Sequence, residues 1–266
     1  MEVIADTHVH LYPCHNADRL LKHAAHRLRG WAKTANPVCV LLLAEAGYHC
    51  VFRALRDRPN DHGVTARIDR TAEAEALRLQ WPDGTAVWLV AGRQLVARER
   101  VEILALTVDH PPSDGQSAAE LVRAVDAAAG VPVLAWAPGK WCLRRAAVVA
   151  ELCAAFGPDT LWLGDSSLRP YGWPLPNPMR DPARRVLAGS DPLPFSGEEM
   201  QAGQYAIRLQ GEFDPERPVT SLRQLLRSEP ARIERVGRRN TPWCWARRLS
   251  RLRHVPPGVV TGSPDP

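Results

Sequence analysis

The sequence predicts an α/β fold, a distorted, TIM-like β/α barrel of six or seven strands, and three observations predict it. Apolar runs of the kind that are covered on both faces recur at about residues 3, 38, 101, 131, 160 and 185. Segments with apolar residues at helical spacing separate several of these runs. Polar residues capable of chemistry stand where the runs end, which in parallel α/β folds is the functional end.

Taken in order, Val3–Val9 is a β-prone run. Ala17 to Trp31 carries Leu20, Leu21, Ala24, Ala25 and Leu28 on one side of a helix, with Asn16 as its N-cap. Val38 to Ala44 is wholly apolar and ends at Glu45-Ala46-Gly47-Tyr48-His49. Val51 to Arg58 reads as a short helix. Residues 64–100 differ in character: Ala76 to Trp81 and Thr85 to Val90 flank Pro82-Asp83-Gly84, the signature of an inserted antiparallel hairpin. Val101 to Asp109 is again a buried-type strand. Ser117 with Glu120 forms a capping box for a helix that stops at Gly130. Strand 131–136 leads to Pro138-Gly139-Lys140, and a helix over 143–156 leads to strand 160–163 and Asp165. A proline-rich loop then reaches strand 185–188 and Gly189-Ser190-Asp191. The expected organisation is a barrel over 1–212 with its insertion at 64–100, a basic helical extension over 213–254, and a disordered tail over 255–266.

With 266 residues, 45% hydrophobic and 24% charged, the chain can bury a full core. Its longest apolar stretch is far too short to cross a membrane, and no signal-peptide pattern opens it. The six cysteines include no C-x-x-C pair, so they are expected as reduced thiols in a cytoplasmic protein. The net charge is +5, yet residues 217–253 alone hold eleven arginines against two glutamates. Because only three of the basic residues are lysines, this arginine richness reads as general usage, and nucleic acid is not the expected partner.

The chemistry centres on Asp6-Thr7-His8-Val9-His10. Alternate residues of a strand share a face, so His8 and His10 can address one ion together. Other candidates at strand ends are Glu45, His49, His110, Lys140, Asp165 and Asp191. Asp6-Thr7-His8-Val9-His10-Leu11 resembles the opening motif of the polymerase-and-histidinol-phosphatase (PHP) and amidohydrolase families of metal-dependent hydrolases. Val186-Leu187-Ala188-Gly189-Ser190-Asp191-Pro192 resembles the last-strand motif of amidohydrolases. The resemblance implies that His8, His10 and Asp191 bind one to three divalent ions. Zn, Mn or Fe would suit such mixed N/O ligation.

It further implies hydrolysis of a phosphoester or amide-like bond, with Asp191 as ligand, base or both. The oxygen donors Glu45 and Asp165, and the imidazoles of His49 and His110, could complete the set, and Asp165 could act in catalysis. These families place a histidine at the end of a middle strand, where this chain has Trp136. Lys140, with Arg144 and Arg169, could bind an anionic small-molecule substrate and assist its reaction. The alternative expectation is a degenerate barrel that lacks a full metal site and serves as a binding or scaffold protein. Composition leaves the oligomeric state open.

Overall fold

A computed structural model describes residues 1–255 apart from Tyr48, Pro111, Ser228, Pro230 and Ala231, and apart from the side chains of Asp61 and His62. The tail expected at 255–266 falls outside the described residues from Pro256 onward.

The elements in order are β1 (Glu2–Val9), α1 (Ala17–Trp31), β2 (Val38–Leu43), β3 (Glu45–Ala46) and α2 (Val51–Asp57). Then come β4 (Arg67–Arg70), β5 (Ala76–Gln80), β6 (Ala86–Val90), β7 (Gly92–Val96), β8 (Glu102–Leu106), α3 (Ala118–Ala127) and β9 (Val131–Ala135). The chain continues through α4 (Arg144–Ala155), β10 (Trp162–Ser166), β11 (Val186–Gly189), β12 (Tyr205–Gln210), α5 (Pro218–Leu226), β13 (Glu234–Gly237) and α6 (Pro242–Leu252). Local signals account for the starts of α1 and α3. Asn16 accepts Arg19 N–H at 2.9 Å, and Ser117 with Glu120 forms both halves of the capping box.

The strands fall into two mixed sheets, ordered β13-β12-β1-β2-β6-β5-β4 and β11-β10-β9-β8-β7-β3. No single closed ladder links them, because β1 spends its two edges on β2 and on β12 and leaves none for β11. The sheets instead meet at two seams that require glycine. A Cβ on Gly189 would lie 2.3 Å from His8 Cβ, and one on Gly92 would lie 2.2 Å from Leu43 O. At the first seam Asp191 N–H donates to His8 O at 2.9 Å, and Thr7 Oγ1 donates to Ala188 O at 3.1 Å.

Three apolar clusters follow from this arrangement. One lies between the sheets (Val3, Ala5, Val40, Leu42, Val133, Ile207), one under α1 and α2, and one under α3 and α4. The expected insertion at 64–100 is an antiparallel meander of β4, β5 and β6, but β6 also pairs in parallel with β2, and β7 belongs to the second sheet. The segment 213–254 is not purely helical. Its strand β13 pairs antiparallel with β12 and lengthens the first sheet. Strand β12 itself is not anticipated by the sequence pattern, because buried Arg208 interrupts its apolar run. That arginine is held by Glu2 at 2.8 Å and Glu234 at 2.6 Å.

A candidate metal site where β1 meets β11

The β1–β2 register shifts by one residue between Asp6 and Val9. This irregularity reverses the alternation of β1. Val3 and Ala5 face the inter-sheet cluster, whereas beyond the shift it is Val9 that packs with Ile4 on the outer side. His8 and His10 are thereby turned to the inner side, where His8 Nε2 meets Gln94 Oε1 of β7 at 3.1 Å. Irregular strand ends commonly re-aim a side chain next to a functional site.

The two imidazoles converge, with Nε2 atoms 3.0 Å apart. Asp191 Oδ1 lies 3.8 Å from His8 Nε2 and 3.6 Å from His10 Nε2. All three residues are buried. Asp191 has φ +52°, a left-handed conformation that asparagine and aspartate tolerate best after glycine, and it turns the carboxylate back over the histidines. Its other oxygen, Oδ2, accepts Ser166 Oγ–H at 3.0 Å from the end of β10.

Asp6 anchors this junction. Its carboxylate accepts Ser190 N–H at 2.9 Å, Ser190 Oγ–H at 2.5 Å, Gly203 N–H at 2.8 Å and His8 N–H at 3.3 Å. Burial raises its pKa to about 6, against the pull of those four donors. Burial, and then neighbouring His8, drives the His10 pKa down to about 3, so its ring is neutral across the physiological range.

Three donors of this kind fit a divalent ion. A tetrahedral ion about 2.0–2.1 Å from each ligand sets donor atoms roughly 3.3 Å apart, close to the separations found here. Three protein ligands also leave one position open, as catalytic sites do and closed structural sites do not. His10 Nδ1 is buried and makes no regular hydrogen bond, and the backbone of Ala44 gives it only weak support as a ligating imidazole.

No protein family and no curated protein matches the chain in sequence. Among solved structures, PsfC from Pseudomonas syringae PB-5123 superposes with a TM-score of 0.57 at 15% identity, covering 95% of this chain and 98% of that one. The two share a fold. A second structure, the lesion-specific endonuclease PfuEndoQ from Pyrococcus furiosus, gives a TM-score of 0.48 at 14% identity, over 85% of this chain and 56% of that chain.

Within this PsfC-like fold the other sequence candidates lie outside the cluster of His8, His10 and Asp191. Strand β8 runs antiparallel to β9, with Leu106 opposite Val131, so Asp109 and His110 are carried away from the ends of β9, β10 and β11. Asp109 pairs with Arg53 at 2.7 Å and Arg56 at 2.9 Å, and the His110 ring is exposed. Asp165 and Arg169 neutralise each other in a buried two-pronged pair at 2.7 and 2.6 Å, with Tyr205 Oη–H donating to Asp165 at 2.9 Å. Neither is free for a substrate. Lys140 lies at the functional end but pairs with Glu102 at 3.0 Å, and Arg144 is exposed at the start of α4. The His49 ring contacts Tyr12, whose own ring stacks on His10 at 5.1 Å. Trp136 follows Leu134 into the cluster under α3 and α4, which explains why that position offers no ligand.

Glu45 accepts Phe52 N–H at 2.9 Å and stands 3.8 Å from Arg93. Burial raises its pKa to about 7. The unfolded chain therefore releases this proton first, and stability falls as pH rises from about 4.5 to about 7, by about 3 kcal/mol. Glu45→Gln keeps an acceptor for Phe52 and should remove that slope. Urea midpoints of the two proteins should diverge across this window, and parallel curves would refute the assignment.

Two supports were invisible in the sequence. Gln94 lies in the segment read as an insertion, beyond its hairpin. Arg248, inside the arginine-rich segment, is buried against Glu198 at 2.5 Å and donates to Asp191 O at 3.1 Å. A C-terminal helix thus braces the loop that carries the carboxylate.

Proposed function

We propose that the protein is a metal-dependent hydrolase related to the PHP and amidohydrolase families, its two sheets being the halves of a distorted barrel over residues 1–212. The observation that carries this reading is the convergence of His8, His10 and Asp191 from strand ends some 180 residues apart. The three residues would hold a single divalent ion, Zn, Mn or Fe. Such an ion, when bound, lowers the pKa of a coordinated water toward neutrality and polarises the scissile bond of a phosphoester or amide-like substrate.

The remaining work falls to the chain. Asp6 fixes the backbone of His8 and Ser190, so both imidazoles and the carboxylate are held before substrate arrives. Ser166 holds Asp191 Oδ2, which leaves that carboxylate oriented to accept a proton. Neutral His10 presents a lone pair rather than a charge. Lys140, at the same end, could meet an anionic substrate by exchanging its partner Glu102. Residues 213–254 act as a brace through Arg248 and Asn240, which donates to Ser167 O at 2.9 Å. No described helix is long and apolar enough to cross a membrane.

A scaffold reading is favoured by one observation, the weak support behind Nδ1 of His10. Elemental analysis of protein purified without chelators separates the two. About one equivalent of divalent metal per chain is expected, and a His8→Ala, His10→Ala variant should carry almost none. A metal-free wild type that also fails to take up Zn, Mn or Fe on dialysis would establish the scaffold.

A further inference from the structure

A cavity of about 390 Å³ opens between α1, the turn before β12 and the start of α6, lined by Arg27, Trp31, Gln201, Gln204, Arg238 and Arg239 among others. Its charge is unusual for this protein. The buried arginines 169, 208 and 248 each pair with a carboxylate. Arg27 and Arg239 give hydrogen bonds to backbone carbonyls instead, those of Met200 at 2.8 Å and Pro170 at 3.2 Å. Among the described residues, none of Arg27, Arg238 and Arg239 forms an ion pair. Burial presses the pKa of Arg27 and Arg239 below its ordinary value, and for Arg239 the nearby charge of Arg169 adds to this. Gathering three guanidiniums around one concavity, where Asp6 and Asp165 act on Arg27 and Arg239 without pairing with them, is unfavourable until an anion enters.

We propose that this cavity binds a small phosphate-bearing organic ligand of nucleoside-monophosphate size. Guanidiniums match phosphate oxygens two at a time, and Arg238 and Arg239 are adjacent in the chain. Trp31 offers an aromatic wall for a flat ring, its own N–H being already given to Gly203 O at 2.9 Å. Gln201 leaves its side-chain oxygen buried without a partner, an acceptor for a ligand N–H or O–H. The volume lies in the range of ordinary small-molecule sites. The cavity also adjoins the metal centre, because Gly203 donates its N–H to Asp6 while accepting from Trp31.

Calorimetric titration of the full chain with AMP, inorganic phosphate and adenosine tests this. AMP should bind with a dissociation constant of about 10–100 μM, adenosine at least about 10-fold more weakly, and the AMP affinity should fall with added salt. Arg238→Ala with Arg239→Ala should weaken AMP at least about 10-fold. Arg238→Ala alone, at an exposed position, keeps the fold and should weaken it about 3-fold. His8→Ala with His10→Ala should leave AMP binding unchanged, which separates this cavity from the metal centre. Absence of AMP binding, or equal affinity in the double arginine variant, overturns the site. Inorganic phosphate binding as tightly as AMP overturns the organic part of the ligand.

Discussion

If the protein is the hydrolase proposed above, Asp191→Asn is expected to lower its turnover by about 10²–10⁴-fold, the range that a positioned proton-transfer group supplies, while the fold persists. The substitution keeps the shape of the side chain and one hydrogen bond to Ser166, but it removes the negative charge that faces His8 and His10 at 3.8 and 3.6 Å. Neutralising a ligand should also lower metal content, so two readouts move together. Turnover is measured with p-nitrophenyl phosphate and bis(p-nitrophenyl) phosphate, and metal by elemental analysis of the same preparations. An Asn variant with full metal and undiminished turnover would remove Asp191 from the site. Loss of both, with unchanged circular dichroism, would support it.

Asp6→Ala should be the most damaging single change to stability, at about 3–5 kcal/mol. The residue is fully buried, and truncation would strand four donors: the N–H groups of His8, Ser190 and Gly203, and the Ser190 hydroxyl. An orphaned buried donor costs about 1–3 kcal/mol, and the relief of Asp6's own desolvation offsets part of the sum. Asp6→Asn should fall about midway, since its oxygen can still serve two donors while its amide group opposes the others. The measurement is the urea midpoint at constant slope. A loss below about 1 kcal/mol would mean that the junction of β1 and β11 is held by something other than this carboxylate.

The parts of the fold that could be read from sequence were those with local causes. Asn16 and the Ser117/Glu120 box mark helix starts because capping is settled within a few residues. Val38–Leu43 and Val131–Ala135 read as strands because both of their faces are covered. The histidine pair was legible for the same reason, since two residues on one strand share a side. Strand direction was not legible, because nothing within Glu102–Leu106 records that it runs against β9, and so His110 lies away from the ends of β9, β10 and β11.

Trp136 illustrates a further limit. Val131, Val133 and Ala135 face inward while Leu134 and Trp136 face outward, but all are apolar, so no alternation shows which position faces the site. Asp165 sits in an ion pair, and in the sequence a buried carboxylate at a strand end looks the same whether it serves chemistry or such a pair. Its partner Arg169, four residues on, was the signal available. Gln94 and Arg248 reach the site only through tertiary packing, and no local pattern announces them.

The pairing of β1 with β12 has a consequence for how the protein is made. Within this chain β1 is the first strand synthesised, and the strand that closes its second edge pairs Glu2 with Gln210. At about 5–20 residues per second, that edge stays open for roughly 10–40 s while the ribosome works through the intervening sequence. During this interval the nascent chain carries an apolar strand with an unpaired backbone and two imidazoles with no carboxylate beside them. Such an edge invites pairing with other chains. Slower translation would prolong that exposure, and yield in a cell should then depend on chaperone supply more than on the stability of the finished protein.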